Sequence, residues 1–452
     1  MVEKTQASHK QFREMLDRDA DSDEVEQLLD NLSAGDLLHA VFLLSPAEQR
    51  KLLLAIHPDR AADLIEEIPE SHAADLLEDM TATESAPIVE ELSSDQRVDV
   101  LQELSSGDAE AIIAELAVDD AKSARELIGY SSDEAGGLMM KEYASYKDTD
   151  NVGWVIKQLT DDTSDYQYLT VHYIYVLKED GSLVGVVRLR DLVFADAGKQ
   201  VGDVTTPALT VRPNEPLDEL ENFFIDHDFA AVPVVDDNGV MLGIVRRRAV
   251  LEALADRSEA DHLKSAGIIG GDEIRSMPVL VRSRRRLAWL SINILLNVIA
   301  ASVIAMYQDT LTAVIALAVF LPIVSDMSGC SGNQAVAVSM RELTLGAALP
   351  SDVWRVLRKE LAVGLINGLA LGTLLGTVAW LWKGSLMLSL VVGAALALNT
   401  VVAVSIGGSV PLLLKRMKFD PAVASGPLLT TVTDMVGFFL LLSLATMVLP
   451  LI

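Results

Sequence analysis

Two carboxylates, Asp326 and Asp434, sit inside long apolar stretches of the C-terminal third of this chain. An isolated charge at the centre of a membrane helix costs about 2.5–3.5 kcal/mol on insertion scales, so an acid kept there is a functional hypothesis by default. Asp434 ends the run PLLTTVTD over 427–434, where Thr430, Thr431 and Thr433 supply hydroxyls and no Lys or Arg is at hand to pair with it. Asp326 opens the polar, glycine-rich run SDMSGCSGNQ over 325–334, and Asn399 and Thr400 add a polar point in another apolar stretch. Interhelical hydrogen bonding is the competing reading for both acids, and it weighs more on Asp326, which lies nearer a helix break.

Carboxylate, amide and hydroxyl oxygens are hard ligands, suited to Mg²⁺, Ca²⁺ or Mn²⁺, whereas Zn²⁺ or Cu⁺ would want Cys and His. The apolar stretches hold no His, and Cys330 is the one cysteine of the chain. Mg²⁺ dehydrates reluctantly and keeps several waters. A path for it therefore needs few protein ligands, and one carboxylate per chain, doubled in a dimer, would serve. No nucleophile–base pair or metalloenzyme spacing occurs, so the chain does not read as an enzyme and offers no catalytic residue.

The elements that must hold these acids are membrane helices. A spanning helix needs roughly 20 mostly apolar residues, and five stretches qualify: about Leu287–Tyr307, Leu311–Met340, Leu361–Trp382, Leu386–Leu414 and Ala422–Pro450. Pro322, Pro411 and Pro427 read as break points. Arg282, Arg284, Arg285 and Arg286 precede the first stretch. Arg341, Arg355, Arg358 and Lys359 separate the second from the third, and Lys415, Arg416 and Lys418 the fourth from the fifth. The opposite loops carry only Asp309 and Lys383. The positive-inside rule then puts the N-terminal region in the cytoplasm and the C-terminus outside a cell (inner) membrane. Gly364, Gly368, Gly372 and Gly376, with Gly393, Gly407 and Gly408, read as close helix packing rather than chemistry.

The first 286 residues read as soluble. The 452-residue chain has a formal net charge of -29, concentrated early: residues 1–135 hold 33 Asp and Glu against 10 Lys and Arg. That balance argues against nucleic acid, which needs clustered cations. It suits a solvated or a cation-binding surface. A single cysteine excludes an intrachain disulfide and is compatible with a cytoplasmic soluble part. The polar N-terminus lacks the apolar core of a cleavable signal peptide.

Residues 21–128 repeat with a period of 12. The eighth, ninth and twelfth positions are apolar in most units, as in Leu64, Ile65 and Ile68, and the first four hold Ser, Thr, Pro and acids. Each unit predicts a capped short helix plus a turn, stacked as a solenoid because none can bury its face alone. Ser45 to Glu48 reads as a capping box. His57 and His72 read as plain surface residues. Over 139–257 the pattern changes to one α/β unit used twice. In each, a buried strand leads through an acidic Gly turn (Gly181, Gly239) to a second strand and a helix.

These paired units resemble a tandem CBS (cystathionine-β-synthase-like) module, and the whole chain resembles the MgtE family of magnesium channels. The resemblance rests on DEAGGL at 133–138, GNQ at 332–334, DPAVASGP at 420–427 and TTVTD at 430–434. It implies a multidomain fold: an all-α helical-repeat N domain over 1–132, a CBS pair over 133–250, a linking helix and membrane-proximal segment over 251–286, and a five-helix membrane domain over 287–452. It implies a homodimer in the membrane lipid with a pore on its axis, Mg²⁺ as both ligand and transported cation, and closure by cytoplasmic Mg²⁺. The linking helix would run from about Leu251 to Gly267. By motif, Asp434 is the central pore carboxylate and Asp420 an acid near its cytoplasmic side. Asn333 and Asn399 are pore-lining, with Asp326 and Thr430 on the same path. Sensor positions are Asp218, Asp228, Asp261, Asp95 and Asp99, with Gly136, Glu252, Asp256 and Glu259.

Departures from the family bear on function. This chain has GCSGNQ at 329–334 where the family often has GNAGNQ, so Cys330 replaces an Asn and Asp326 adds an acid. Arg257 stands among the acids of the linking helix. The CBS nucleotide pattern keeps Gly185 and Asp191 in the first unit but has Arg188 for the hydroxyl, and the second unit loses both marks, which reads against ATP. A membrane-anchored Mg²⁺ sensor without transport, or a proton-coupled Co²⁺ or Mn²⁺ carrier, are the alternative readings.

Overall fold

The computed structural model describes residues 11–18, 20–161, 171–268, 273, 277 and 279–451. It divides into two compact units, Met1–Arg257 and Ser258–Ile452.

In the first unit a short helix, α1 (11–17), precedes nine repeat helices. These are α2 (Ser22–Asp30), α3 (Ala34–Phe42), α4 (Pro46–Ala55), α5 (Pro58–Glu66), α6 (Glu70–Glu78), α7 (Ala82–Glu91), α8 (Ser94–Glu103), α9 (Ser106–Glu115) and α10 (Val118–Leu127). Their starts recur every 12 residues because the capping residues do. The Ser45–Glu48 and Thr81–Glu84 pairs close full capping boxes, and Ser33 and Ser105 accept the backbone N–H three residues on. From α5 onward each helix packs chiefly on the one two units along. The apolar pairs, such as Leu64 with Ile65 and Leu76 with Leu77, thereby meet in one continuous core.

The CBS pair contributes β1 (Met139–Met140), β2 (Ser145–Lys147), α11 (Val152–Asp161), β3 (Tyr173–Leu177), β4 (Leu183–Arg188), α12 (Leu189–Val193), α13 (Val201–Val204), α14 (Leu217–Asp226), β5 (Ala231–Val235) and β6 (Met241–Arg246). They form two three-stranded sheets, β2-β3-β4 and β1-β6-β5. The duplication is exact in register: Tyr173 pairs with Arg188 as Ala231 pairs with Arg246. Both hairpins turn on a glycine at φ 81°, Gly181 and Gly239, a conformation costly for other residues. The two turns bond to each other, Leu183 N to Gly239 O at 2.9 Å and Met241 N to Gly181 O at 3.1 Å. Helix α15 (Arg247–Ser265) follows β6 directly and starts four residues before the helix expected from about Leu251.

The second unit holds α16 (Val279–Met306), α17 (Gln308–Ala313), α18 (Leu317–Thr344), α19 (Val353–Lys383), α20 (Leu386–Arg416) and α21 (Pro421–Met447). Val279–Met306, Val353–Lys383, Leu386–Arg416 and Leu428–Met447 are long and apolar enough to cross a membrane. Helix α18 is also 28 residues long, but its polar middle, from Ser325 to Gln334, keeps it out of that set. Leu290, Ile294, Leu295 and Val298 of α16 are exposed, as lipid-facing residues should be. Helix α20 is central, packed by α18, α19 and α21. Close approach there depends on glycine: a Cβ on Gly368 would lie 2.5 Å from the Ala397 carbonyl oxygen, and one on Gly372 2.5 Å from that of Gly393.

Two expectations need correction. Pro322 and Pro411 do not break their helices, and neither does the glycine-rich segment of α18; helix α21 likewise runs through position 427. A proline removes a single ladder bond, which packing on neighbouring helices tolerates. The interruption falls earlier, at 314–316 between α17 and α18. His72 is also not a surface residue. It is 3 % exposed and bonds Gln49 through Nε2 at 3.1 Å, while its Nδ1 has no partner among the described residues; burial lowers its pKa. His57 is exposed, as expected.

Candidate functional site

Helices α18, α20 and α21 bring the polar residues of the apolar region together. Asp434, half-buried on α21, accepts a hydrogen bond from the Ser325 hydroxyl of α18. Asp326 is the next residue on α18 and so turns to its exposed side, within electrostatic reach of Asp434. Cys330, Asn333 and Gln334 follow on that same exposed side. Spacings of four, seven and eight residues keep one helical face. The result is a polar stripe of two acids, a thiol and two amides along α18 and α21.

Thr430 is exposed, and its hydroxyl donates to the Gly426 carbonyl at 3.0 Å. Thr433 is fully buried and donates to the Thr430 carbonyl at 2.9 Å. Both hydroxyls thus lend their protons to the helix backbone, which leaves Thr430 its oxygen lone pairs to offer outward. Asn399 departs from the pore-lining expectation: it is 0 % exposed, and its amide donates to the Thr433 carbonyl at 3.0 Å. The exposed polar stripe lies on the other side of α18 and α21, because α20 packs behind them. There Gly332 and Gly407 abut so closely that a Cβ on Gly407 would sit 2.3 Å from the Gly332 carbonyl oxygen. Asp420, just before α21, lies 3.8 Å from the Lys264 ammonium near the end of α15, and Lys264 also stands 3.9 Å from Asp261.

The sensor candidates in the first unit fall into two groups. Asp95 is buried at the start of α8, bonded by Ser93 and paired with Arg246 at 2.7 Å. Asp99, one turn on, lies among acids. Burial, then the charges of Glu70, Asp95, Asp256 and Glu103, push its carboxyl up to about 8. Glu70 is exposed on the rim of this cluster, and the desolvation of its carboxyl by the surrounding atoms, then the charges of Asp256 and Glu103, push it up to about 7. Glu70 and Glu103 escaped the sequence reading because nothing in their type or repeat position separates them from the many other acids.

The remaining candidates stand apart. Asp218 pairs with Arg257 at 2.8 Å, Asp228 with Arg247 at 3.0 Å, and Glu252 with Arg248 at 2.6 Å, all on exposed surface; Glu259 is exposed. Gly136 is buried, its N–H bonded to the Pro213 carbonyl at 2.7 Å, and a Cβ there would strike Tyr130. Among the described residues, no three His, Cys, Asp or Glu side chains converge as a metal-ligand set.

A cleft of about 520 Å³ opens between the two CBS units, lined by His172, Tyr173, Arg188, Arg190, Phe229 and Arg247, among others. Asp191, the nucleotide residue picked from sequence, is tied to Arg188 at 2.6 Å. The nucleotide pattern pointed to Arg188 as a departure, but Arg190, Arg247 and the aromatic wall were not legible from it, since the pattern looks for a hydroxyl and an acid.

Comparison with known proteins agrees with this layout. Residues 321–444 match a family model described as a divalent cation transporter, MgtE. Residues 32–133 match the MgtE intracellular N domain, and 135–198 and 201–256 match CBS domains. The chain is 36% identical over 326 residues to the magnesium transporter MgtE of Thermus thermophilus, covering 72% of each chain. It is 30% identical to that of Bacillus subtilis, again over 72% of each. The crystal structure of the soluble part of a magnesium transporter matches with a TM-score of 0.50 at 23% identity, over 56% of this chain and 99% of that one, a likeness of fold.

Proposed function

This chain belongs to the MgtE family of divalent cation transporters, and from that premise we propose that it is a gated Mg²⁺ channel admitting the ion across the cell (inner) membrane. The observation that carries the reading is Asp434: a carboxylate inside an apolar span, held by Ser325, with a second acid in reach and, among the described residues, no Lys or Arg bonded to it. The charge of an unneutralised acid in lipid is offset only by what it binds. A hydrated Mg²⁺ suits it, because the ion's water shell can donate to the carboxylate without being stripped.

Two copies of the chain complete the site in this reading. The polar stripe of α18 and α21 is exposed on the single chain, and pairing two such stripes on a two-fold axis lines a path with two Asp434 and two Asp326 carboxylates. The basic loops orient the first unit to the cytoplasm. The acid cluster of Glu70, Asp99, Glu103 and Asp256 then faces cytoplasmic Mg²⁺. These acids do not converge as a direct ligand set, so Mg²⁺ held through its water shell relieves their repulsion and fixes the start of the linking helix, and the Lys264–Asp420 contact joins the far end of that helix to the base of α21. Depletion of Mg²⁺ restores the repulsion and opens the path.

The arginine-lined cleft supports a second, regulatory ligand, a nucleoside phosphate, with Arg190 and Arg188 against the phosphates and Phe229 against the base.

Asp434→Asn and Asp434→Ala test the transport reading. Both should insert, dimerise and lose Mg²⁺ uptake in proteoliposomes. Undiminished uptake by both would refute it.

A further inference from the structure

Asn399 sits in the middle of α20 with no exposed surface. Its Nδ2 reaches two neighbouring helices at once: the Thr433 carbonyl of α21 at 3.0 Å and the Val324 carbonyl of α18 at 3.5 Å. Each of those carbonyls belongs to the residue immediately before a member of the carboxylate site. Thr433 precedes Asp434, and Val324 precedes Ser325, which holds Asp434. The amide enters through a slot that only glycine leaves open, because a Cβ on Gly437 would lie 2.6 Å from Nδ2.

We infer that Asn399 is the positioning residue of the ion site, a clasp that sets where α18 and α21 present Ser325 and Asp434 to the ion. The inference rests on the reading of Asp434 as the ion-binding carboxylate. Two observations separate it from ordinary polar packing. First, the Oδ1 of Asn399 is buried with no hydrogen-bond partner among the described residues. An orphaned buried acceptor is unfavourable, and an aliphatic residue of similar size would avoid it; the donor half must therefore be worth keeping. Second, the neighbouring Thr400, equally buried, bonds the Leu396 carbonyl of its own helix at 2.8 Å and, among the described residues, no other helix. Burial in α20 does not of itself demand a cross-helix donor. The Val324 carbonyl additionally accepts from Ser328 at 2.8 Å, so α18 is braced at the same level from its own side.

The test is Mg²⁺ flux in proteoliposomes from full-length Asn399→Leu and Gly437→Ala, with thermal unfolding in detergent measured alongside. A clasp that positions the site shifts the half-saturating Mg²⁺ concentration by tenfold or more and changes the Mg²⁺ to Mn²⁺ flux ratio in both variants. In the double variant the two shifts do not add, because both remove the same contact. A purely structural Asn399 lowers the unfolding temperature but leaves half-saturation and flux ratio at the wild-type values, and that result overturns the inference. If Asn399→Leu does not accumulate, Gly437→Ala decides alone, since it keeps the amide and closes only the slot. Asp434→Asn in the same assay separates the two claims. If it abolishes flux while Asn399→Leu and Gly437→Ala behave as wild type, only the clasp fails. If it transports normally, the ion-site reading fails and the clasp with it.

Discussion

If the acid cluster of the first unit takes Mg²⁺ as proposed, its affinity depends on pH in a calculable way. Glu70 and Asp99 are raised to about 7 and about 8, far above the ordinary carboxylate range. The folded protein therefore holds protons that the unfolded chain has already released. The cluster's contribution to stability is complete below pH ~4 and is lost as pH rises through 7 and 8. In chelator the protein should thus unfold at a lower temperature at pH 8.5 than at pH 6.5, and Mg²⁺ should restore most of the difference at the higher pH. If Mg²⁺ needs both acids ionised, its affinity is reduced by the factor (1 + 10^(7−pH))(1 + 10^(8−pH)), roughly 1.4 at pH 8.5 and roughly 140 at pH 6.5, a net weakening of about 100-fold. Glu70 keeps contact with solvent, which screens its share and makes this an upper bound. Mg²⁺-dependent protection from limited proteolysis, titrated at each pH on the full chain, reads the affinity. Asp99→Asn should flatten the pH dependence. An affinity constant within threefold across this range, or an Asp99→Asn protein with the wild-type pH profile, would refute the reasoning.

Arg246→Ala leaves the buried Asp95 carboxylate unpaired and should cost about 3–5 kcal/mol of stability, against a smaller loss for Asp95→Asn; chemical denaturation of the two variants measures the difference, and equal losses would contradict the pairing argument. Gly407→Ala places a Cβ 2.3 Å from the Gly332 carbonyl oxygen, so α18 and α20 must part by about 1 Å at a cost of about 1–3 kcal/mol. Reduced thermal stability together with reduced flux is expected, and a protein unchanged in both would show that the helices do not touch there. Arg190→Glu should weaken a nucleoside triphosphate at least tenfold in a binding titration, and unchanged or absent binding in both proteins would remove the cleft as a phosphate site.

The parts of the fold written in local pattern were legible from sequence. The 12-residue period located the repeat helices because capping residues and apolar pairs recur at fixed positions, and the duplicated strand–turn–strand pattern located the CBS pair. The acids of the membrane region stood out because lipid tolerates so few. What stayed hidden depends on helix rotation and on neighbours distant in sequence. Nothing in the sequence around Asn399 says that its amide faces two backbone carbonyls, or around His72 that Gln49 waits for it in the core. Pro322 and Pro411 misled, since the bonds they forfeit are made tolerable by helices elsewhere in the chain. Glu70 and Asp99 meet only when the solenoid stacks, 29 residues after one another.

Cation flux into proteoliposomes, recorded for Mg²⁺, Mn²⁺, Co²⁺ and Ca²⁺ while Mg²⁺ on the cytoplasmic side is varied, tests the gated channel most directly. Mg²⁺ should enter down its gradient, without help from an imposed pH gradient, when cytoplasmic-side Mg²⁺ is low, and entry should shut off as that concentration rises. No Mg²⁺ entry under any of these conditions would make the protein a sensor without transport, and entry indifferent to cytoplasmic-side Mg²⁺ would refute the gate.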